Sequence, residues 1–371
     1  MSVFDSVVKK VSNLPSTLGQ KTMAGSLAVA LASDQVAPVS IVAPGYAAFH
    51  QMVHIDAGQW AGAKVMRYLL DGASQINLTD IIVSTDTAMK LALHQATLTE
   101  YADRMVGLGP VALWKLDEAS GDAADYIGSK TLTATATPTY GAESWVCTDG
   151  KAVQLNGSTQ GFKTNTKLPS TIDGAFECWF WLDITPTSTM HIASASDTAG
   201  VNDYWRVSIT TARKTNLQVK TTAGGVVMDL TADFTFNLRQ WYHLVWNYTL
   251  GCFVNGRSVD VTGTGGSAWY DAVYAAVDNF VLGYMASTTN TGWFQGKLAL
   301  CAWYANAKNA AYFKTNYDNG APIFGPHQFA ANGIVAVNLR APITTQNNFH
   351  SIYVRSSASA TATVELVGYE K

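Results

Sequence analysis

Apolar and polar residues alternate in short runs along most of the chain, with a period close to two, and Gly, Asn and Asp close the runs. That periodicity predicts half-buried strands. The clearest run is Trp241–Gly256, WYHLVWNYTLGCFVNG, with a tight turn at Leu250-Gly251 between two strands and a second turn at Asn255-Gly256. Aromatic and β-branched residues punctuated by Gly and Asn are what a hairpin requires. Further runs lie at Ala152–Leu155, Gly174–Asp183, Met190–Ser194, Tyr204–Thr210, Asn216–Thr221, Gly225–Leu230, Asn279–Gly283 and Trp293–Tyr304. Such a series of short strands predicts a two-sheet sandwich. Within ECWFWLD, alternation places Glu177, Trp179 and Trp181 on one face and Phe176, Cys178, Phe180 and Leu182 on the other.

The pattern continues on both sides of this block. Lys64–Leu70, Gln75–Ser84 and Met89–His94 precede it, followed by a short helix over Thr99–Met105 capped by Thr97 or Thr99. Gly333–Leu339, Phe349–Arg355 and Ala362–Val367 come after it. Three strands alone bury too little apolar surface to stand as a domain. The expectation is therefore one discontinuous β sandwich built from 46–108 and 322–371, with 109–321 inserted between its halves. Residues 1–45 have too few large apolar side chains for a core and read as an arm, with three turns of helix over Ser2–Ser12 and strand-like alternation only at Ser26–Leu31. Its apolar residues, Val3, Phe4, Val7, Leu14, Leu18, Leu27, Val29 and Leu31, are expected to pack against other subunits. The predicted fold class is all-β: an extended N-terminal arm, a small split sandwich and an inserted two-sheet jelly roll.

Composition narrows the function classes. Charged residues make up 14% of 371, against about 25% in an average soluble protein, which suits large protein–protein contacts. A net charge of −3 gives no electrostatic case for nucleic acid, which needs clustered Lys and Arg. No run of about 18 apolar residues predicts membrane insertion, and Met1–Asp5 lacks a basic region leading into an apolar one, so no secretory signal is expected. Cys147, Cys178, Cys252 and Cys301 are widely spaced within apolar runs and read as reduced core thiols of a protein made in a reducing cytoplasm.

No catalytic constellation stands out, and no catalytic residue or cofactor is assigned. A glycosidase needs two carboxylates about 5–9.5 Å apart, yet no ExDxE-like triplet occurs, and Glu177 and Asp183 are six residues apart along one strand. Seven histidines are scattered, and no GxSxG turn or phosphate loop is present. Asp117, Glu118, Asp122 and Asp125 form the densest acidic cluster: loop carboxylates of this kind can hold Ca²⁺, but Asp in loops more often caps turns, and no metal is assigned. Trp269, Tyr270 and Tyr274 follow a Gly-rich turn and are the candidate contacts to glycan or to a partner, with packing across the sandwich as the alternative.

Several motifs carry a family resemblance. Leu113-Trp114-Lys115-Leu116-Asp117-Glu118, Ala152-Val153-Gln154-Leu155-Asn156-Gly157, Trp241-Tyr242-His243-Leu244-Val245 with Phe253-Val254-Asn255-Gly256, and Phe294-Gln295-Gly296-Lys297-Leu298 together resemble the laminin-G-like, concanavalin-type jelly rolls. The resemblance covers about 195 residues and implies a fold that often binds glycan. It departs where many relatives carry an Asp after the closing Gly, since Leu298-Ala299-Leu300 is apolar here, which weakens any implied calcium site. Leu14-Pro15, Leu18-Gly19-Gln20-Lys21 and Ser26–Gln35 look like the N-terminal arm of tailed-bacteriophage virion proteins, and Thr363–Glu370 is similar to the end of small phage β sandwiches. The combined resemblance implies a non-enzymatic virion structural protein, a head decoration protein or short head fibre with an outward jelly roll. Its expected partners are other virion proteins, itself as a homotrimer, and cell-surface glycan. A tail or baseplate adhesin and a free carbohydrate-binding lectin are the alternatives.

Overall fold

The computed structural model describes residues 47–55, 65–69, 76–147, 150–169, 172–223, 225–265, 268–344, 351–357 and 362–370. The arm, with Val3, Phe4, Val7, Leu14, Leu18, Leu27, Val29 and Leu31, the Ser2–Ser12 helix and the Ser26–Leu31 strand, lies outside them.

Almost all regular structure is antiparallel strand. One eight-stranded sheet runs in the order Arg257–Val259, Gly251–Val254, Trp241–Asn247, Ala175–Leu182, Gln295–Tyr304, Lys151–Asn156 and Thr139–Glu143, with Ala112–Trp114 also paired to Gln295–Tyr304. A second runs Val261–Thr264, Gly225–Ala232, Thr215–Thr221, Tyr204–Ile209, Met190–Ser196, Phe280–Leu282, Gly161–Thr164 and Thr133–Thr135. The apolar parity of ECWFWLD faces the space between them. Phe176, Cys178, Phe180 and Leu182 pack there with Trp205, Trp246, Trp303 and Tyr242 in one buried cluster. This is the two-layer solution for sheets that each have one apolar face.

Two four-stranded sheets form from the flanks. Ala47–Ile55, Ala362–Glu370, Ile76–Thr85 and Gly333–Thr344 make one, and Val65–Leu69, Ser351–Ser356, Met89–His94 and Phe324–Phe329 make the other. Each sheet takes two strands from before the jelly roll and two from after it. Register brings Val364 opposite Val83, Leu366 opposite Ile81 and Val354 opposite Leu93. The buried side chains of Leu78, Ile81, Val83, Leu91, Leu93, Ile352, Val354, Val364 and Leu366 share one core.

Two helices lie on the outer face of the first jelly-roll sheet. Helix α1 spans Leu98–Val106 and α2 spans Ala310–Gly320. Thr97 caps α1: its Oγ1 accepts from Glu100 N at 3.1 Å, while Glu100 Oε2 accepts from Thr97 N at 2.8 Å, a reciprocal capping box. Helix α2 is absent from the sequence expectation. Its buried positions are Phe313, Asn316, Asn319 and Gly320, so three of the four residues facing inward are not apolar and leave no helical hydrophobic stripe to read.

One of those inward residues, Asn316, answers a buried acid. Glu177 is fully buried on the outward parity of its strand. Its Oε1 lies 2.6 Å from His243 Nε2 and accepts from Asn316 Nδ2 at 3.0 Å, and its Oε2 accepts from Tyr304 Oη at 2.8 Å. Burial, and after it the charge of Glu177, pushes the Tyr304 phenol well above its usual range, which keeps that hydroxyl a donor. A buried charge is tolerated when it is paired and hydrogen-bonded in this way. The network holds α2 to the sheet.

The two units meet through Arg355 and Tyr353 of the flanking sandwich. The Arg355 guanidinium is 4.5 Å from the centre of the Trp145 ring and donates to the carbonyl oxygens of Ser144 and Gly150. Tyr353 Oη donates to Glu100 Oε1 at 2.6 Å, so the glutamate of the capping box also ties the helix to the sandwich.

Candidate functional site

The helices cover only part of the outer sheet face. At the uncovered end, register sets up a row across neighbouring strands: Trp241 pairs with Trp181, Trp181 with Lys297, and Lys297 with Gln154. Adjacent strands are about 4.8 Å apart, so residues far apart in sequence become contiguous. The Trp181 and Trp241 ring centres are 6.0 Å apart at 57°, and Lys297 Nζ lies 4.8 Å from the Trp181 ring centre. Asp183 fixes the row from the side, accepting from Trp181 Nε1 at 2.9 Å and from Gln154 Nε2 at 3.0 Å.

This row lies along a cleft of about 520 Å³, within the ~300–1,000 Å³ usual for small-molecule sites. Glu143, Trp145 and Val146 line it from the end of the Thr139–Glu143 strand, and Arg239 and Gln240 from the turn before Trp241. Lys90, Pro326 and Gln328 of the flanking sandwich line it too, so the cleft belongs to both units. Arg239 is exposed, with its backbone held at φ 57° and its N–H donated to Leu182 O at 2.8 Å. Trp181 and Trp241 are half-buried. The Trp241 indole nitrogen is out of solvent contact and has no hydrogen-bond partner among the described residues, a donor left over on a residue that lines the cleft.

Chemically, the cleft offers flat aromatic surface, three cationic side chains, one carboxylate and several amides. It does not offer paired acids. Glu177 is enclosed in its network and Asp183 is engaged on both oxygens, so neither stands as an acid–base partner of the other.

The residues singled out from sequence lie elsewhere. Trp269 and Tyr270 are fully buried, which corrects their assignment as contact residues. Trp269 stacks on Trp303 at 5.9 Å and meets Trp205 edge-on at 5.5 Å, while Tyr270 meets Trp303 edge-on at 5.1 Å. Aromatic rings of this size gain most by closing the sandwich core. Tyr274 is half-buried, with Lys167 Nζ 4.4 Å from its ring centre and donating to its backbone carbonyl.

The acidic cluster is spread over turns. Asp125 accepts from the backbone N–H groups of Leu113, Ile127 and Lys130, Asp122 from Ala134 and Glu118 from Ala124, while Asp117 pairs with Lys115. These carboxylates brace turns, and among the described residues no three His, Cys, Asp or Glu side chains converge as metal ligands. All four cysteines are buried and unpaired by disulfide, and burial pushes the Cys178 and Cys252 thiols upward.

Sequence reading missed Trp145, Trp181, Trp241, Arg239 and Lys297 as site residues. The available signal was the outward parity of ECWFWLD together with a Trp at the start of WYHLVW, two of the most aromatic strands.

No protein-family model matches the chain, and no curated protein sequence matches it. Among solved structures, it is similar to domain 4 of AbnA, a GH43 extracellular arabinanase from Geobacillus stearothermophilus in complex with arabinotriose. That match has 18% identity and a TM-score of 0.44, covering 56% of this chain and 98% of the other. The CBM40 of Ruminococcus gnavus IT-sialidase bound to alpha2,3 sialyllactose matches at 14% identity and a TM-score of 0.39, covering 44% and 95%. Trypanosoma rangeli sialidase in complex with the inhibitor DANA matches at 14% identity and a TM-score of 0.40, covering 57% of this chain and 33% of that one.

Proposed function

We propose that this is a non-enzymatic structural protein of the tailed-phage particle surface, a head decoration protein or short head fibre, whose jelly roll binds saccharide in the cleft floored by Trp181 and Trp241. The row Trp241–Trp181–Lys297 carries the glycan reading. Half-buried indoles side by side in a cleft supply the flat apolar surface that packs against a pyranose ring, with polar groups at the rim to orient its hydroxyls. The virion reading is supported by the low charge content, by the arm-like composition of 1–45 and by the resemblance of both flanks to phage virion proteins.

Purified full-length protein on an oligosaccharide panel, together with a cryo-EM map of the source particle, tests both halves. Saccharide binding abolished by Trp241→Ala, and density for the chain on the head surface, are expected. Binding unaffected by that substitution refutes the cleft, and absence of the chain from the particle refutes the virion role.

A further inference from the structure

Resting on the reading of the cleft as a saccharide site, we propose that it selects acidic saccharide: an oligosaccharide bearing carboxylate groups of the uronic-acid kind. The chain as a whole is net negative at −3. The cleft departs from that balance, because Lys90, Arg239 and Lys297 line it against Glu143, with Asp183 beside the row already accepting from Trp181 and Gln154. The ion pairs Lys115–Asp117, Lys214–Asp233, His243–Glu177 and Lys314–Asp318 lie among other residues and involve none of these three cations.

The three cations come from three separate segments of both units, so no local run of basic sequence accounts for their meeting. Each is suited to a different part of the task. Lys297 is held beside the aromatic surface, with Nζ 4.8 Å from the Trp181 ring centre and donating to Glu143 O at 3.4 Å. One contact to a neutral carbonyl leaves two further ammonium donors for an anion. Arg239 is exposed on a backbone anchored to Leu182, and its planar guanidinium matches a carboxylate in two parallel hydrogen bonds. Lys90 faces them from the sandwich side of the cleft. Like charges gathered along one cleft raise the local concentration of an entering anion. A neutral sugar uses the indoles and the polar rim, whereas an acidic one adds charge-assisted contacts to the cations.

Isothermal titration of the full-length protein with trigalacturonate, its trimethyl ester, hyaluronan tetrasaccharide and tetra-N-acetylchitotetraose tests this. Trigalacturonate and hyaluronan tetrasaccharide are expected to bind at least about tenfold more tightly than the two neutral compounds. That advantage should shrink roughly five- to tenfold in Lys297→Gln and in Arg239→Gln, and fall between 20 and 200 mM salt with the screening length. In either variant affinity for the acidic pair should fall further than affinity for the neutral pair, and an equal fall for both would overturn the acid preference.

Equal affinity for acidic and neutral compounds, lost together in Trp241→Ala, overturns the acid preference while leaving the cleft as a saccharide site. An acid preference that survives Trp181→Ala and Trp241→Ala unchanged places the anion contacts outside the cleft and also overturns the proposal. No binding of any of the four overturns the preference and the saccharide reading together.

Discussion

The indole of Trp181 lies directly across the sheet from that of Trp241, with their ring centres 6.0 Å apart and Lys297 opposite Trp181 on its other side. That juxtaposition depends on β-sheet register alone, since the three residues come from three strands separated by about sixty residues each. A one-residue slip in any of the three would turn its member of the row into the sandwich core.

Replacing either indole should therefore affect binding more than stability. Trp181→Ala and Trp241→Ala are each expected to weaken saccharide binding at least about tenfold, which is about 1.4 kcal/mol. Titration calorimetry reads the first effect, and thermal unfolding should show a fold retained in both variants. Trp269→Ala is the contrasting case: removing a fully buried Trp costs about 3–5 kcal/mol, with a fall in melting temperature and no direct effect on the cleft.

Glu177 should act as a structural acid. Glu177→Ala leaves His243, Tyr304 and Asn316 without their shared partner, and removing one member of such a buried network costs about 3–5 kcal/mol. Urea unfolding should record that loss, with Glu177→Gln milder at about 1–3 kcal/mol. Hydrolysis of any oligosaccharide by the wild-type protein that Glu177→Gln abolishes would contradict this role.

Stability should fall in mild acid because of two histidines. His94 is buried with neither ring nitrogen partnered among the described residues, and burial, then the charge of Arg355, lowers it to about 3. Burial, then Arg206, lowers His191 to about 3 as well, with its Nδ1 2.8 Å from Ser208 Oγ. Above pH 6.5 both are neutral in the folded and unfolded chain and contribute nothing to pH dependence. Below it the unfolded chain takes up protons that the folded chain refuses until pH approaches 3, so stability drops across that window. Between pH 7.5 and 5 the two together should remove about 4 kcal/mol. Urea midpoints at the two pH values test this, and His94→Leu should roughly halve the difference. Equal midpoints would contradict it.

Arg355 should couple the two units. Its guanidinium sits over Trp145 and donates to Ser144 O and Gly150 O. Arg355→Ala is expected to split a single calorimetric unfolding transition into two, the lower one belonging to the split sandwich. One unchanged transition would show that other contacts join the units.

Most of the strand pattern was legible because alternation and turn residues act locally. The Trp241–Asn247 and Gly251–Val254 hairpin, the two faces of ECWFWLD and the Thr97 cap are all in the structure. Helix α2 was not legible, since its inward positions include Asn316 and Asn319, and Asn316 meets Glu177 of a distant strand. The cleft was not legible either. Its members share no segment and meet only through register and the docking of two units. Trp269 and Tyr270 misled for a related reason: an aromatic pair after a Gly-rich turn reads the same whether it caps the sandwich core or faces outward.

The central claim, that the Trp181–Trp241 cleft receives saccharide, is tested most directly by the indole N–H resonances of the ¹⁵N-labelled full-length protein during titration with trigalacturonate. Each Trp reports separately, with assignments from single Trp→Phe variants. Saturable shifts at Trp181, Trp241 and Trp145, with Trp205, Trp269 and Trp303 unmoved in the core, are the expected result. Shifts confined to other tryptophans, or none at all at saturating trigalacturonate, would contradict the account.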